Sequence, residues 1–151
     1  MSNIRIGHMT LGIYQTNCYF VYREDSDQVL VFDPADHGEK IEEALRQHGL
    51  HTAAIFLTHG HFDHISGCEE LKAAADAYAG EHGAEPVKIY AGEAEKKFLL
   101  DTKNNLSKAM GRPVTVIADV YLKDGEELDL DGIRIQVLAT PGHTAGGISY
   151  Y

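Results

Sequence analysis

Basic side chains are scarce in this chain. Thirteen Lys and Arg stand against 23 Asp and Glu, a formal net charge of −10 over 151 residues. A surface so poor in positive charge does not suit the tracking of phosphates, so nucleic acid is not an expected partner. Long apolar runs are missing as well, and none approaches the ~20 residues that a membrane-spanning helix needs. The N-terminal stretch Met1-Ser2-Asn3-Ile4-Arg5 lacks the apolar core of a secretory leader. The expectation is a cytoplasmic protein without a membrane partner. Cysteine is limited to Cys18 and Cys68, which in that compartment read as free, buried thiols rather than a disulfide. The sequon Asn105-Leu106-Ser107 carries no weight without secretion. Repeats, linkers and low-complexity segments are absent.

What remains is an ordinary globular composition, with 44% apolar residues. Residues 1–151 are expected to form a single domain with a substantial core. Strands are predicted over Ile4–Thr10, Cys18–Arg23, Val29–Phe32, His51–Leu57, Pro86–Tyr90 and Ile133–Leu138, with another beginning at Ile148. Helices are predicted over Gly38–His48, Cys68–Tyr78 and Glu93–Leu100, with a further helical piece over Asn104–Met110. Asp124-Gly125 and Asp131-Gly132 read as hairpin turns between strands.

One segment decides how the rest is read. Thr58-His59-Gly60-His61-Phe62-Asp63-His64 follows the apolar run Ala53–Leu57. Three imidazoles and a carboxylate serve no packing purpose there. They are the nitrogen and oxygen donors that zinc and iron accept. In extended backbone His59, His61 and Asp63 share one face. His64 joins them only if the chain turns near Asp63, as at a helix start. Gly60 allows close backbone approach to an ion. A second motif, Thr140-Pro141-Gly142-His143, also follows a strand, and His143 is a further candidate ligand. The remaining histidines, His8, His37, His48, His51 and His82, read as ordinary. Cys68 lies near the cluster but is at most a minor ligand candidate. Tyr14, Tyr150 and Tyr151 are candidates for a cleft wall.

The segment THGHFDHISG over Thr58–Gly67 resembles the signature THxHxDHxxG of the metallo-β-lactamase-fold hydrolases at every fixed position. Thr140–Gly146 resembles that superfamily's TPGHTxG motif, and Asp33-Pro34 its strand-terminal aspartate. Thr16-Asn17-Cys18-Tyr19 and Asn105-Leu106-Ser107 are similar to the compact glyoxalase II-like (hydroxyacylglutathione hydrolase-like) branch. The resemblance implies an α/β fold, an αββα four-layer sandwich. In that superfamily the chain continues past the TPGHTxG strand to a bridging aspartate and a last histidine. This sequence ends at Tyr151, so the expectation is a sandwich incomplete at its C-terminal end, and with it a homo-oligomer or completion by another chain.

Roles implied by the resemblance follow residue by residue. His59, His61 and His143 would form a first metal site, and Asp63 and His64 would belong to a second. Asp33 would orient a ligand imidazole; a turn-capping role at the strand end stays open beside it. The implied cofactor is zinc, one or two ions, with iron or manganese as alternatives. The implied reaction is hydrolysis of a small thioester or ester such as an S-acyl-glutathione, with weak or no activity expected of residues 1–151 alone. The metal lowers the pKa of a bound water toward roughly 7, and Asp63 orients it or takes up its proton. Two other readings stay open: a mononuclear iron enzyme resembling persulfide dioxygenases, and a non-catalytic metal-binding fragment that needs a partner.

Overall fold

The computed structural model describes residues 3–151. Alternating apolar and polar side chains produce two long N-terminal strands, β1 (Ile4–Leu11) and β2 (Thr16–Arg23), paired antiparallel with Ile4 opposite Arg23 and Leu11 opposite Thr16. β3 (Gln28–Phe32) lies antiparallel to β2. From there the chain alternates between strand and helix, as parallel pairing requires. α1 (Gly38–Gln47) leads to β4 (His51–Phe56); α2 (Phe62–Ile65) and α3 (Cys68–Glu81) lead to β5 (Lys88–Gly92). A 3₁₀ turn (Glu93–Glu95) and α4 (Lys96–Leu99) precede β6 (Val120–Leu122). These strands form one six-stranded sheet in sequence order, β1 to β6. β7 (Glu127–Leu130), β8 (Ile133–Ala139) and β9 (Ile148–Tyr150) form a second, three-stranded antiparallel sheet.

The two faces of the first sheet bury two cores. On one face Val29, Val31, Ile55 and Leu57 meet Ile41 and Leu45 of α1 and Leu71 and Ala75 of α3. On the other, Leu30, Phe56, Tyr90 and Leu122 meet Ile133, Ile135, Val137 and Ile148 of the second sheet. Phe56 is fully buried between stacked Phe32 and Tyr90, with centroids at 4.9 and 4.7 Å. Burial of a side chain of this size contributes roughly 1.5–3 kcal/mol. The layers therefore run helix, sheet, sheet. Among the described residues no helix covers the outer face of the second sheet, so three of the four expected layers are present.

Three details depart from the sequence reading. Asp131-Gly132 is a two-residue hairpin with both φ values positive, at 53° and 73°, but Asp124-Gly125 is not one. Its flanking strands β6 and β7 lie in different sheets, and Gly125 donates instead to Val137 of β8. Residues 104–110 do not form a helix. Asp101 Oδ1 accepts the amides of Lys103 and Asn104, Asn105 Oδ1 accepts that of Ser107, and Leu106 has φ +71°. Local side-chain acceptors here outcompete the helical ladder. Finally, helical spacing puts Ile41, Ala44, Leu45 and His48 on one face of α1, but the helix buries Ile41, Leu45 and Glu42 and leaves His48 exposed. The Glu42 carboxylate accepts the amide and hydroxyl of Thr52 at 3.1 and 2.6 Å, tying the helix to β4.

Candidate metal centre

The residues singled out by sequence lie at the C-terminal ends of β3, β4 and β8, where open α/β sheets place their chemistry. β4 ends at Phe56, and the loop that follows carries His59 and His61. His61 is the extended residue that starts α2, with φ −62° and ψ 143°. The helical turn after it brings His64 back to the same side. The rings of His59 and His64 are 4.2 Å apart, and those of His59, His61 and His143 lie 4.5–5.0 Å from one another. One ligand atom from each of His59, His61 and His143 falls within 4.8 Å of the others. Two cross-sheet bonds fix β9 against β4. Ile148 N donates to Thr58 O at 2.9 Å, and the Tyr150 hydroxyl donates to Leu57 O at 2.7 Å.

Hydrogen bonds assign the tautomers. Thr58 Oγ1 donates to Asp33 Oδ2 at 2.6 Å and lies 3.0 Å from His59 Nδ1. With its proton committed to Asp33, the hydroxyl can only accept, so His59 carries its proton on Nδ1. Nε2 is then the lone-pair nitrogen, and it is buried without a hydrogen-bond partner. A buried acceptor left unpaired is costly; a cation among three imidazoles removes that cost, so the donor set fits a divalent metal. Similarly, His64 Nδ1 lies 2.9 Å from Asp33 Oδ2, which leaves Nε2 on the side of Asp63 Oδ2 at 3.5 Å. Asp63 Oδ2 also accepts the Thr16 hydroxyl at 2.8 Å.

Electrostatics agree with ligand duty. Burial, together with the neighbouring His64, pushes His59 down to about 4; burial and His143 lower His61. Both are neutral at pH 7, the state that binds metal. For His64 burial works in the same direction, but the hydrogen bond to Asp33 and the charges of Asp33 and Asp63 outweigh it and raise the pKa.

Asp33 sits at φ +52°, an uncommon conformation that aspartate tolerates better than most residues. It accepts the Thr58 amide and hydroxyl as well as His64 Nδ1. The residue thus contacts an imidazole directly and also caps the loop. Gly60 plays a different part from the one expected. An added Cβ would lie 2.9 Å from Leu99 and 3.0 Å from Phe98, so its smallness admits α4. Tyr150 is not a cleft residue, since its ring packs edge-on against Phe32 and Phe56. Cys68 is fully buried in the helical core and belongs to neither cluster of candidate ligands. His8 packs on Tyr19, and His51 and His82 flank Tyr78, away from the site. Sequence reading missed Thr16 and Thr58 as partners, although both lie inside the quoted motifs. It also missed Glu95, which nothing local announces.

Residues 11–151 match the Metallo-beta-lactamase superfamily. The chain belongs to that superfamily. A Bacillus subtilis (strain 168) protein named probable metallo-hydrolase YqgX is 36% identical over 145 residues, 95% of this chain and 63% of that protein. The hydroxyacylglutathione hydrolase GloC of Haemophilus influenzae is 29% identical over 143 residues, 91% of this chain and 61% of that protein. The crystal structure of BLEG-1 B3 metallo-beta-lactamase superposes with a TM-score of 0.77 at 33% identity, covering 97% of this chain and 66% of that one. That of TTHA1623 in a di-iron-bound form gives 0.73 at 28% identity, covering 96% and 66%. The chain thus spans less than two thirds of the length of each of these proteins. As a member of the metallo-beta-lactamase superfamily it has the expected fold, and that fold brings His59, His61 and His143 together. No helix among the described residues is long and apolar enough to cross a membrane.

Proposed function

We propose that this superfamily member is a metal-dependent hydrolase of small thioesters or esters, of the S-acyl-glutathione type. The observation that carries the reading is the convergence of His59, His61 and His143 around the unpartnered, buried Nε2 of His59. These three residues would hold zinc, with iron or manganese acceptable to the same donors. Asp63 and His64 would contribute to a second, weaker position. A divalent ion held by His59, His61 and His143 would supply an acidic water and a Lewis acid for the scissile carbonyl. The protein's own groups do the rest. Asp33 and Thr58 hold the imidazoles in the lone-pair-forward tautomer. Asp63, anchored by Thr16, takes up the proton released at the reacting centre and returns it to the leaving thiolate.

The substrate's apolar portion would rest in a cavity of about 200 Å³ beside Asp63, walled by Leu11, Ile13, Tyr14, Phe62 and Met110. Tyr14 meets Phe62 edge-on at 5.5 Å, and its hydroxyl lies 4.0 Å from the Met110 sulfur. The S-acyl-glutathione class is supported by the name of the Haemophilus influenzae relative. The test is to titrate zinc and manganese into the chain while following hydrolysis of S-lactoyl-glutathione. Metal-dependent turnover abolished by His61→Ala supports the reading, and metal-independent turnover refutes it. A second reading, a mononuclear iron enzyme resembling persulfide dioxygenases, rests on a donor set that accepts iron as well as zinc. Oxygen consumption with bound iron would favour it over hydrolysis.

A further inference from the structure

Glu95 ends the 3₁₀ turn after β5 and is only 1% exposed. No Lys, Arg or His pairs with it among the described residues. Its carboxylate instead accepts three hydrogen bonds from two distant loops. Oε1 accepts the amide of Gly60, the residue between His59 and His61, at 2.8 Å. Oε2 accepts the Thr144 hydroxyl at 3.1 Å and the Gly146 amide at 3.0 Å, just after His143. The second loop is seated directly on the turn. A Cβ at Gly146 would lie 2.2 Å from Glu95 N and 2.5 Å from Oε2, so only glycine permits the contact. The first loop is seated on the following helix, where the His61 ring stands edge-on to Phe98 at 5.2 Å. Burying an unpaired carboxylate is expensive, and packing alone would be served by an apolar residue. What a carboxylate adds is two acceptor oxygens a fixed distance apart, each holding a different histidine loop.

We propose that Glu95 is the positioning residue of the metal centre. One buried carboxylate locks the His59–His61 loop and the His143 loop at ligand spacing, before any metal arrives. This rests on the metal-centre reading above. Glutamine in its place keeps the shape but turns an N–H₂ toward an N–H or O–H donor, so one loop is released. Aspartate keeps the charge but is a methylene too short to reach both.

The test uses the full chain, with zinc affinity from competition against a chromophoric chelator. Amide exchange at Gly60 and Gly146 is followed in the metal-free protein, and the visible spectrum in the Co(II)-loaded form. Glu95→Gln and Glu95→Asp should each weaken zinc binding about 10- to 100-fold. Both should speed exchange at the affected glycine and shift the cobalt bands, with far-UV circular dichroism unchanged. Should either variant fail to fold, Thr144→Val, which removes a single hydrogen bond, should still weaken zinc binding several-fold. Wild-type affinity, exchange and cobalt spectrum in a folded Glu95→Gln protein would overturn the Glu95 assignment alone. A wild-type chain that binds no zinc would overturn the metal reading and this proposal together.

Discussion

Nδ1 of His64 lies 2.9 Å from Oδ2 of Asp33, and the same oxygen accepts the Thr58 hydroxyl that lies against His59 Nδ1. A single carboxylate thereby sets the tautomers of two imidazoles. Asp33→Asn is the sharpest probe of this arrangement. Asparagine tolerates φ +52° as well as aspartate does, so the backbone should survive. One acceptor oxygen becomes a donor, however, and His64 or Thr58 loses its partner. Zinc affinity should fall about 10- to 100-fold, the usual cost of losing an outer partner of a ligand. Chelator competition measures it. An unchanged affinity would reduce Asp33 to a turn cap.

The buried thiols offer a check on the helical core. Burial, aided by the charge of Asp33, pushes Cys68 up to about 12 and Cys18 higher still. Both stay protonated through the neutral range and react only on unfolding, because the thiolate is the nucleophile. Ellman's reagent at pH 8 should label neither in the native protein and both in guanidinium chloride. Fast native labelling of Cys68 would place it at an accessible site and reopen a ligand role.

Much of this arrangement was legible in the sequence, for definite reasons. His59, His61, Asp63, His64 and His143 stood out because ligand chemistry concentrates rare residue types at short spacing. β1 to β5 followed from apolar patterning bounded by turns. The parts that escaped are those set by distant partners. Glu42 and Glu95 look like solvated helix residues until Thr52, Gly60 and Gly146 arrive across the fold. The 104–110 segment has helical composition, but Asp101 and Asn105 bind its amides. Asp124-Gly125 carries a hairpin dipeptide, yet whether the next strand joins the same sheet is a tertiary choice that no dipeptide encodes.

Tyr14 should govern substrate binding without touching the metal. It is 60% exposed and closes the cavity between Phe62 and Met110. Tyr14→Ala removes an apolar contact worth roughly 1–1.5 kcal/mol, which corresponds to a rise of about tenfold in KM for an acyl substrate. Zinc affinity should stay within a factor of two. A variant with unchanged KM would show that the acyl group lies elsewhere.

β1 is the outer strand of the six-stranded sheet, and it leaves Ile4 at 53% and Ile6 at 71% exposure. An apolar, unpaired edge favours self-association. Size-exclusion chromatography with light scattering should therefore show dimers or larger species at high concentration. Ile6→Lys, which places a charge on that edge, should shift the distribution toward monomer. A wild-type protein that stays monomeric throughout would contradict the expectation.

Metal stoichiometry separates the two candidate positions. His59, His61 and His143 offer three free imidazole nitrogens within 4.8 Å of one another. The neighbouring cluster of Asp33, His59 and His64 is different, because Asp33 Oδ2 is already engaged by His64 Nδ1 and by Thr58. On that side, the donors left among the described residues are His64 Nε2 and Asp63, whose Oδ2 is shared with Thr16. Two donors without a bridging carboxylate hold an ion far less tightly than three imidazoles do. A zinc titration should show one tight equivalent per chain, with any second ion weaker by at least about tenfold, since that position has one donor fewer and a lost donor costs at least about tenfold. His61→Ala should weaken the tight site at least about tenfold by the same reasoning. Two ions bound with equal affinity by residues 1–151 would mean that a donor outside this set completes the second position.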